Sequence, residues 1–166
     1  MKTVEIYGKI NGKMVDKVSE KLNDTSFPLE NLRIIINSKG GDMTSTFEII
    51  DLIEKYENVE TIALNDCMSS AVYIFLLGKR RYIQDKCNFV MHRPYYMVQD
   101  LEIFSKLTYP MLEKLTSKIK EDEEKIQSIF LLHGLSKSFV EKFFNEVKVC
   151  VTPEELYRQN IVDKIF

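Results

Sequence analysis

Apolar and polar positions alternate along Val4-Glu5-Ile6-Tyr7 and stop at Gly8, which predicts a first strand. Val15, Val18 and Leu22 then recur at helical spacing and predict a helix over roughly residues 12–23. Leu32-Arg33-Ile34-Ile35-Ile36-Asn37 is β-branched and nearly continuous, the pattern of a buried parallel strand. After Gly40-Gly41, Phe47, Ile50 and Ile53 mark a helix to about Tyr56, with Asp42 near its start. Val59 to Leu64 predicts another strand, and Ser69 to Leu77 a helix apolar on all sides and hence buried. Arg81-Tyr82-Ile83 and Asn88 to Met91 predict two short strands.

From about Asp100 to His133 the pattern is helical and rich in charge. Leu112, Leu115, Ile119, Ile126 and Phe130 form an apolar stripe, and Gly134 supplies a stop. Lys137 to Asn145 predicts a short helix, and Thr152-Pro153 opens another with threonine as N-cap and proline in the first turn. The order β-α-β-α-β-α-β-β-α-α is that of an α/β fold with repeated right-handed crossovers, in a single domain over residues 1–166. A helix of this length is too long to lie wholly on so small a domain. It is expected to project and pack against another copy of the chain.

Composition narrows the function. Hydrophobic residues make up 45% and charged residues 29%, which reads as a soluble globular chain. The net charge of −2, without a basic block or an aromatic-basic stripe, argues against nucleic acid as a partner. Lys79-Arg80-Arg81 reads as a solvated turn. The longest apolar run, Ala71 to Gly78, is too short to span a bilayer, and charge interrupts the N-terminus too early for a signal peptide. Cys67, Cys87 and Cys150 are odd in number and lack CxxC spacing, so a disulfide framework is not expected and a cytoplasmic location is. No His, Cys, Asp and Glu set has metal-ligand spacing, and no metal or organic cofactor is expected.

Three segments carry candidate chemistry. Gly40-Gly41 follows a buried strand, where glycine lets backbone N–H groups approach a substrate. Ser69 and Ser70 sit where a loop becomes a buried helix, with free N–H groups beside them. His92 ends a strand just before Arg93-Pro94. Taken singly, the glycines make an ordinary turn, the serines are N-caps and His92 is a structural residue. Cys67 paired with His92 is a weaker nucleophile candidate, and His133 suits the negative end of the long helix better than catalysis. Together the three segments supply the parts of a serine acyl-transfer site.

In this order and at these separations, the segments resemble the proteolytic subunit family of the Clp protease, within the wider ClpP/crotonase fold. Ile36-Asn37-Ser38-Lys39-Gly40-Gly41 resembles the family's INSPGG, with lysine for proline. Val59 to Gly78 resembles the strand, nucleophile loop and helix that follow, and Val90-Met91-His92-Arg93-Pro94 resembles MIHQP. Leu131-Leu132-His133-Gly134 resembles the close of the family's handle helix, placing that helix at about 100–133. Pro153-Glu154-Glu155 through Asn160-Ile161-Val162-Asp163 resembles PEA…GLVD.

The resemblance implies a serine endopeptidase acting on short or unfolded polypeptides, assembled as a homo-oligomeric ring. Its implied nucleophile is Ser69, with Ser70 the alternative, and its implied general base is His92. Gly41 N–H and Ser70 N–H are the implied oxyanion donors. Two departures stand against this. The aspartate expected four residues before Thr152 is Lys148, so the third acid would have to be Glu146 or another group. Without that acid, the competing function is a catalytically impaired subunit serving as assembly partner or scaffold. The chain also begins almost at the first strand, where the family carries a segment that contacts an AAA+ unfoldase, which argues against such docking.

Overall fold

The computed structural model describes residues 1–23, 31–94, 106–146 and 149–166. Its first half is a repeated strand–helix unit. β1 (Lys2–Tyr7), β2 (Asn31–Ser38) and β3 (Asn58–Met68) lie side by side and parallel, with α1 (Gly12–Leu22) and α2 (Met43–Ile53) as crossovers. β4 (Arg80–Ile83) continues the parallel sheet on the far side of β3, after the short α3 (Ser70–Leu76).

The two crossover helices begin at side chains that accept an otherwise unpaired N–H. Asn11 caps α1 by accepting from Met14 N at 3.2 Å, and Asp42 caps α2 by accepting from Ser45 N at 2.8 Å. The predicted α1 and α2 are thus found with their expected starts.

β2 is more one-sided than its sequence suggests. Leu32, Ile34 and Ile36 are fully buried, while Arg33 and Ile35 are only partly covered. On that second face the parallel register sets Arg33 beside Glu60 and Glu60 beside Arg80. The three form an ion-pair ladder, Arg33 to Glu60 at 2.5 Å and Arg80 to Glu60 at 3.5 Å. Cross-strand charge pairing of this kind lets a sheet face carry polar residues.

β3 runs four residues beyond its predicted end at Leu64. Its first half pairs with β4, and its second half with β5 (Asn88–Met91), Asp66 opposite Asn88 and Met68 opposite Val90. The polar Asn65-Asp66 that ended the apolar pattern is held by specific partners. Asp66 N donates to Asn37 Oδ1 at 3.1 Å, and Asn88 Nδ2 to Asp66 Oδ1 at 2.9 Å. Two further strands were not predicted. β6 (Val149–Val151) pairs antiparallel with β5, and β7 (Lys164–Ile165) adds to β4.

The long helix α4 spans Tyr109–Leu132, with Thr108 as N-cap and Pro110 in its first turn. Of the predicted span 100–133, residues 100–105 lie outside the described residues and Lys106 to Thr108 are not helical. The apolar stripe is covered only in its second half. Ile126 and Phe130 are buried, Leu115 and Ile119 half-buried, and Tyr109, Met111 and Leu112 exposed. At its end Gly134 takes φ +81°, Gly134 N donates to Leu131 O and Leu135 N to Phe130 O. That paired return is the glycine-dependent stop the sequence predicts.

Two expectations near this end are corrected. Arg81 is not part of a solvated turn: it is buried and donates to Ile161 O at 3.2 Å and His133 O at 2.5 Å. It therefore caps the helix terminus that His133 was expected to complement. Burial, then the Arg81 charge and that of Lys79, lower the His133 pKa, and a backbone bond to Leu77 opposes them only in part. The neutral ring is favoured despite the helix dipole. α5 (Lys137–Asn145), capped by Ser136, and α6 (Pro153–Arg158), capped by Thr152, complete the fold. Among the described residues, no helix is long and apolar enough to cross a membrane.

Candidate active site

The sheet delivers the two chemical segments to neighbouring strand ends. β3 ends at Met68 and β5 at Met91, and Ser69 N donates to Val90 O at 2.7 Å. The turn at Ser69 is thus tied to the strand that presents His92 two residues later.

Ser69 is not a capping serine. It has φ +54° and ψ −130°, and its side chain makes no cap hydrogen bond. A positive φ is costly for any residue with a Cβ, on the order of 1–3 kcal/mol, and persists only where the surroundings impose it. Here a strand must turn at once into a helix buried along its whole length. The result presents a serine hydroxyl at the head of α3, the geometry of a strained strand–nucleophile–helix elbow.

Ser70 has the opposite setting. It is 1% exposed, and its Oγ accepts from Gly41 N at 2.9 Å and lies 3.5 Å from Gly41 O. It fastens α3 to the glycine turn. The Gly41 N–H, implied as an oxyanion donor, is engaged by Ser70 Oγ in this structure. Ser70 N is the first N–H of α3, where no intrahelical acceptor exists.

The glycines are needed for close approach. Gly40 has φ +91°, and a Cβ there would meet Ser69 Cβ at 2.7 Å and Met68 O at 2.8 Å. A Cβ on Gly41 would run into the Ile10 carbonyl. Ser38 shapes the turn by donating to Gly8 O at 2.6 Å and accepting from Gly40 N at 3.0 Å.

Ser69 and His92 line one cleft of about 860 Å³, together with Gly40, Gly41, Tyr73 and Asp66. Tyr73 was read from the sequence only as part of a buried helix. It lies one turn beyond Ser69, and its hydroxyl donates to His92 O at 2.8 Å. Its ring packs against Phe130 of α4 and Phe143 of α5. Burial, with Glu123 and Asp122 adding to it, raises the Tyr73 pKa, so its hydroxyl stays a donor. His92 Nδ1 is 2.9 Å from Arg93 O, and Arg93 Nε donates to Glu123 Oε1 of α4 at 2.7 Å.

Glu146 is exposed just past the end of α5. The pairing of β5 with β6 is described as far as Met91 opposite Val149, and Lys148 lies outside the described residues. Cys67 is fully buried, and burial pushes its thiol well above the usual range, with Cys87 adding to the shift. The Cys87 thiol is itself pushed up to about 12, mainly by burial, so neither is an activated nucleophile. Among the described residues, no group of three or more His, Cys, Asp and Glu is placed to hold a metal ion.

Three comparisons bear on this site. The family model described as Clp protease matches residues 1–135, which include the glycine turn, Ser69 and His92 but not Glu146. No curated protein matches the chain. Among solved structures, a ClpP1 from Listeria monocytogenes carrying one asparagine-to-aspartate substitution is similar, with a TM-score of 0.77 and 23% identity. That match covers 99% of this chain and 91% of the other, and at this identity it shows the shared fold.

Proposed function

Since this chain belongs to the Clp protease family, we propose that it is a serine endopeptidase that cleaves short or unfolded polypeptides. Ser69 is its nucleophile and His92 its general base. The observation that carries this reading is the strained Ser69 elbow, tied to β5 and facing the cleft that His92 also lines.

The chemistry follows from the two side chains and one amide. His92 takes the Ser69 hydroxyl proton as Ser69 Oγ bonds to the substrate carbonyl carbon. The resulting oxyanion lies near Ser70 N–H, the donor that Ser70 Oγ leaves unused. The protonated His92 then gives its proton to the departing amine, leaving an acyl-enzyme that water hydrolyses with His92 again as base. Substrate hydrogen bonds of this kind often tighten only in the complex. Full oxyanion stabilisation requires Ser70 Oγ to release the Gly41 N–H.

The exposed Tyr109, Met111 and Leu112 at the start of α4 supply an apolar surface for self-association into a ring. A scaffold role is the second reading. It is favoured by the engaged Gly41 N–H and by a lysine, Lys148, at the place where the family resemblance expects the triad aspartate. Hydrolysis of a panel of fluorogenic peptides by wild type and Ser69→Ala separates the two. The peptidase reading expects turnover that Ser69→Ala abolishes; equal background rates in both proteins favour the scaffold.

A further inference from the structure

We propose that the backbone carbonyl of Arg93 sets the tautomer and orientation of His92, the task a triad carboxylate performs, with Tyr73 and Glu123 as positioning residues that hold it there. The inference rests on the peptidase reading and names the group that aims its base.

A carbonyl oxygen can only accept a hydrogen bond. With Arg93 O at 2.9 Å, Nδ1 of His92 is therefore the protonated nitrogen. In the neutral ring this leaves the lone pair on Nε2, the atom that must receive the Ser69 proton. A triad carboxylate sets the tautomer and orientation and also stabilises the imidazolium. The Arg93 carbonyl performs the first task fully. As a dipole rather than a charge it performs the second more weakly. When Nε2 takes the serine proton, Nδ1 keeps its own and its bond to Arg93 O, so no proton passes to the carbonyl.

The carbonyl is useful only if it cannot swing away, and the peptides around it are held from both sides. Tyr73 Oη donates to His92 O at 2.8 Å, fixing the peptide that joins His92 to Arg93. Arg93 Nε donates to Glu123 Oε1 at 2.7 Å, fixing the residue that carries the carbonyl. Tyr73 is 1% exposed and lodged between Phe130 and Phe143, so its hydroxyl has little freedom. The Arg93 pKa is raised first by its hydrogen bond to Glu123 and then by the Glu123 charge, as expected of a formed ion pair. Tyr73 is on the same helix as the nucleophile elbow, and Glu123 is on α4. The histidine is thus referenced to both elements.

The test reads the ring directly. Nitrogen-15 NMR of histidine-labelled protein at about pH 8.5, some two units above the ordinary imidazole value, distinguishes Nδ1–H from Nε2–H. Wild type is expected to hold His92 as Nδ1–H. Glu123→Ala and Tyr73→Phe are expected to shift it toward Nε2–H and to slow fluorophosphonate modification of Ser69 by about ten- to hundredfold. Glu123→Gln retains an acceptor for Arg93 and is expected to restore most of both. An Nε2–H ring in wild type overturns the inference. So does a ring and reaction rate indifferent to both Glu123→Ala and Tyr73→Phe. An Nδ1–H ring beside an unreactive Ser69 upholds the histidine assignment and contradicts the peptidase reading, whereas a reactive Ser69 beside an Nε2–H ring does the reverse.

Discussion

The amide of Gly41 donates to the hydroxyl of Ser70 at 2.9 Å, and this bond separates the fates of two adjacent serines. Ser70 is buried and fastened to the glycine turn, while Ser69 faces the cleft on a strained backbone. The alternatives that sequence spacing left open are therefore chemically unlike. Ser69→Ala is predicted to lower peptidase kcat/KM by at least about 1000-fold with little change in thermal stability. Ser70→Ala is predicted to lower stability by about 1 kcal/mol, the scale of one buried hydrogen bond, and to leave Ser69 the modified residue. Peptide kinetics and thermal melts on both variants check the pair, and the reverse pattern contradicts the assignment.

Gly40→Ala tests the closeness of turn and elbow. The new Cβ meets Ser69 Cβ at 2.7 Å, on a backbone with φ +91°. The expected cost is about 2 kcal/mol or more from the left-handed backbone alone, accompanied by loss of Ser69 reactivity. Urea titration and active-site labelling read the two effects separately. A variant with wild-type stability and labelling contradicts this geometry.

Arg81 ties the end of α4 to the C-terminal segment through His133 O and Ile161 O. Replacing it with methionine keeps the buried stem but leaves both carbonyls without that donor. The predicted cost is about 2–4 kcal/mol. A chemical denaturation midpoint unchanged from wild type contradicts it.

His133 makes stability depend on pH. Burial and the neighbouring Arg81 and Lys79 hold its folded pKa below the ordinary value of 6.5. Below pH 6.5 the unfolded chain therefore takes up a proton that the folded chain resists. This contribution to stability is intact above 6.5, and is lost as pH falls through 6.5 toward the lowered folded value. His133→Gln is predicted to flatten that part of the stability profile, as measured by urea midpoints at a series of pH values. An identical acid-side slope in the variant contradicts the assignment.

Much of the fold was legible because buried strands and amphipathic helices leave periodic patterns. Leu32 to Asn37, the Asp42 start of α2, the Gly134 stop and the Thr152-Pro153 start all read correctly. The losses have physical reasons. β3 outran its apolar pattern because Asn37 and Asn88 satisfy Asp66, a pairing between distant segments. β6 and β7 are three and two residues long, too short for a period to show. Arg81 looked solvated beside Lys79 and Arg80, and only the folded chain supplies the carbonyls that bury it. At the site, the glycine turn, Ser69 and His92 were legible as a constellation. The Ser70–Gly41 bond, the Tyr73 contact and the Arg93 carbonyl were not, because each joins groups that composition and spacing leave unmarked.

Fluorophosphonate labelling of native and heat-denatured protein, with the modified residue mapped by mass spectrometry, tests the central claim most directly. The account predicts stoichiometric modification at Ser69 in the native protein alone. Modification at Ser70, or none in the assembled native protein, contradicts it.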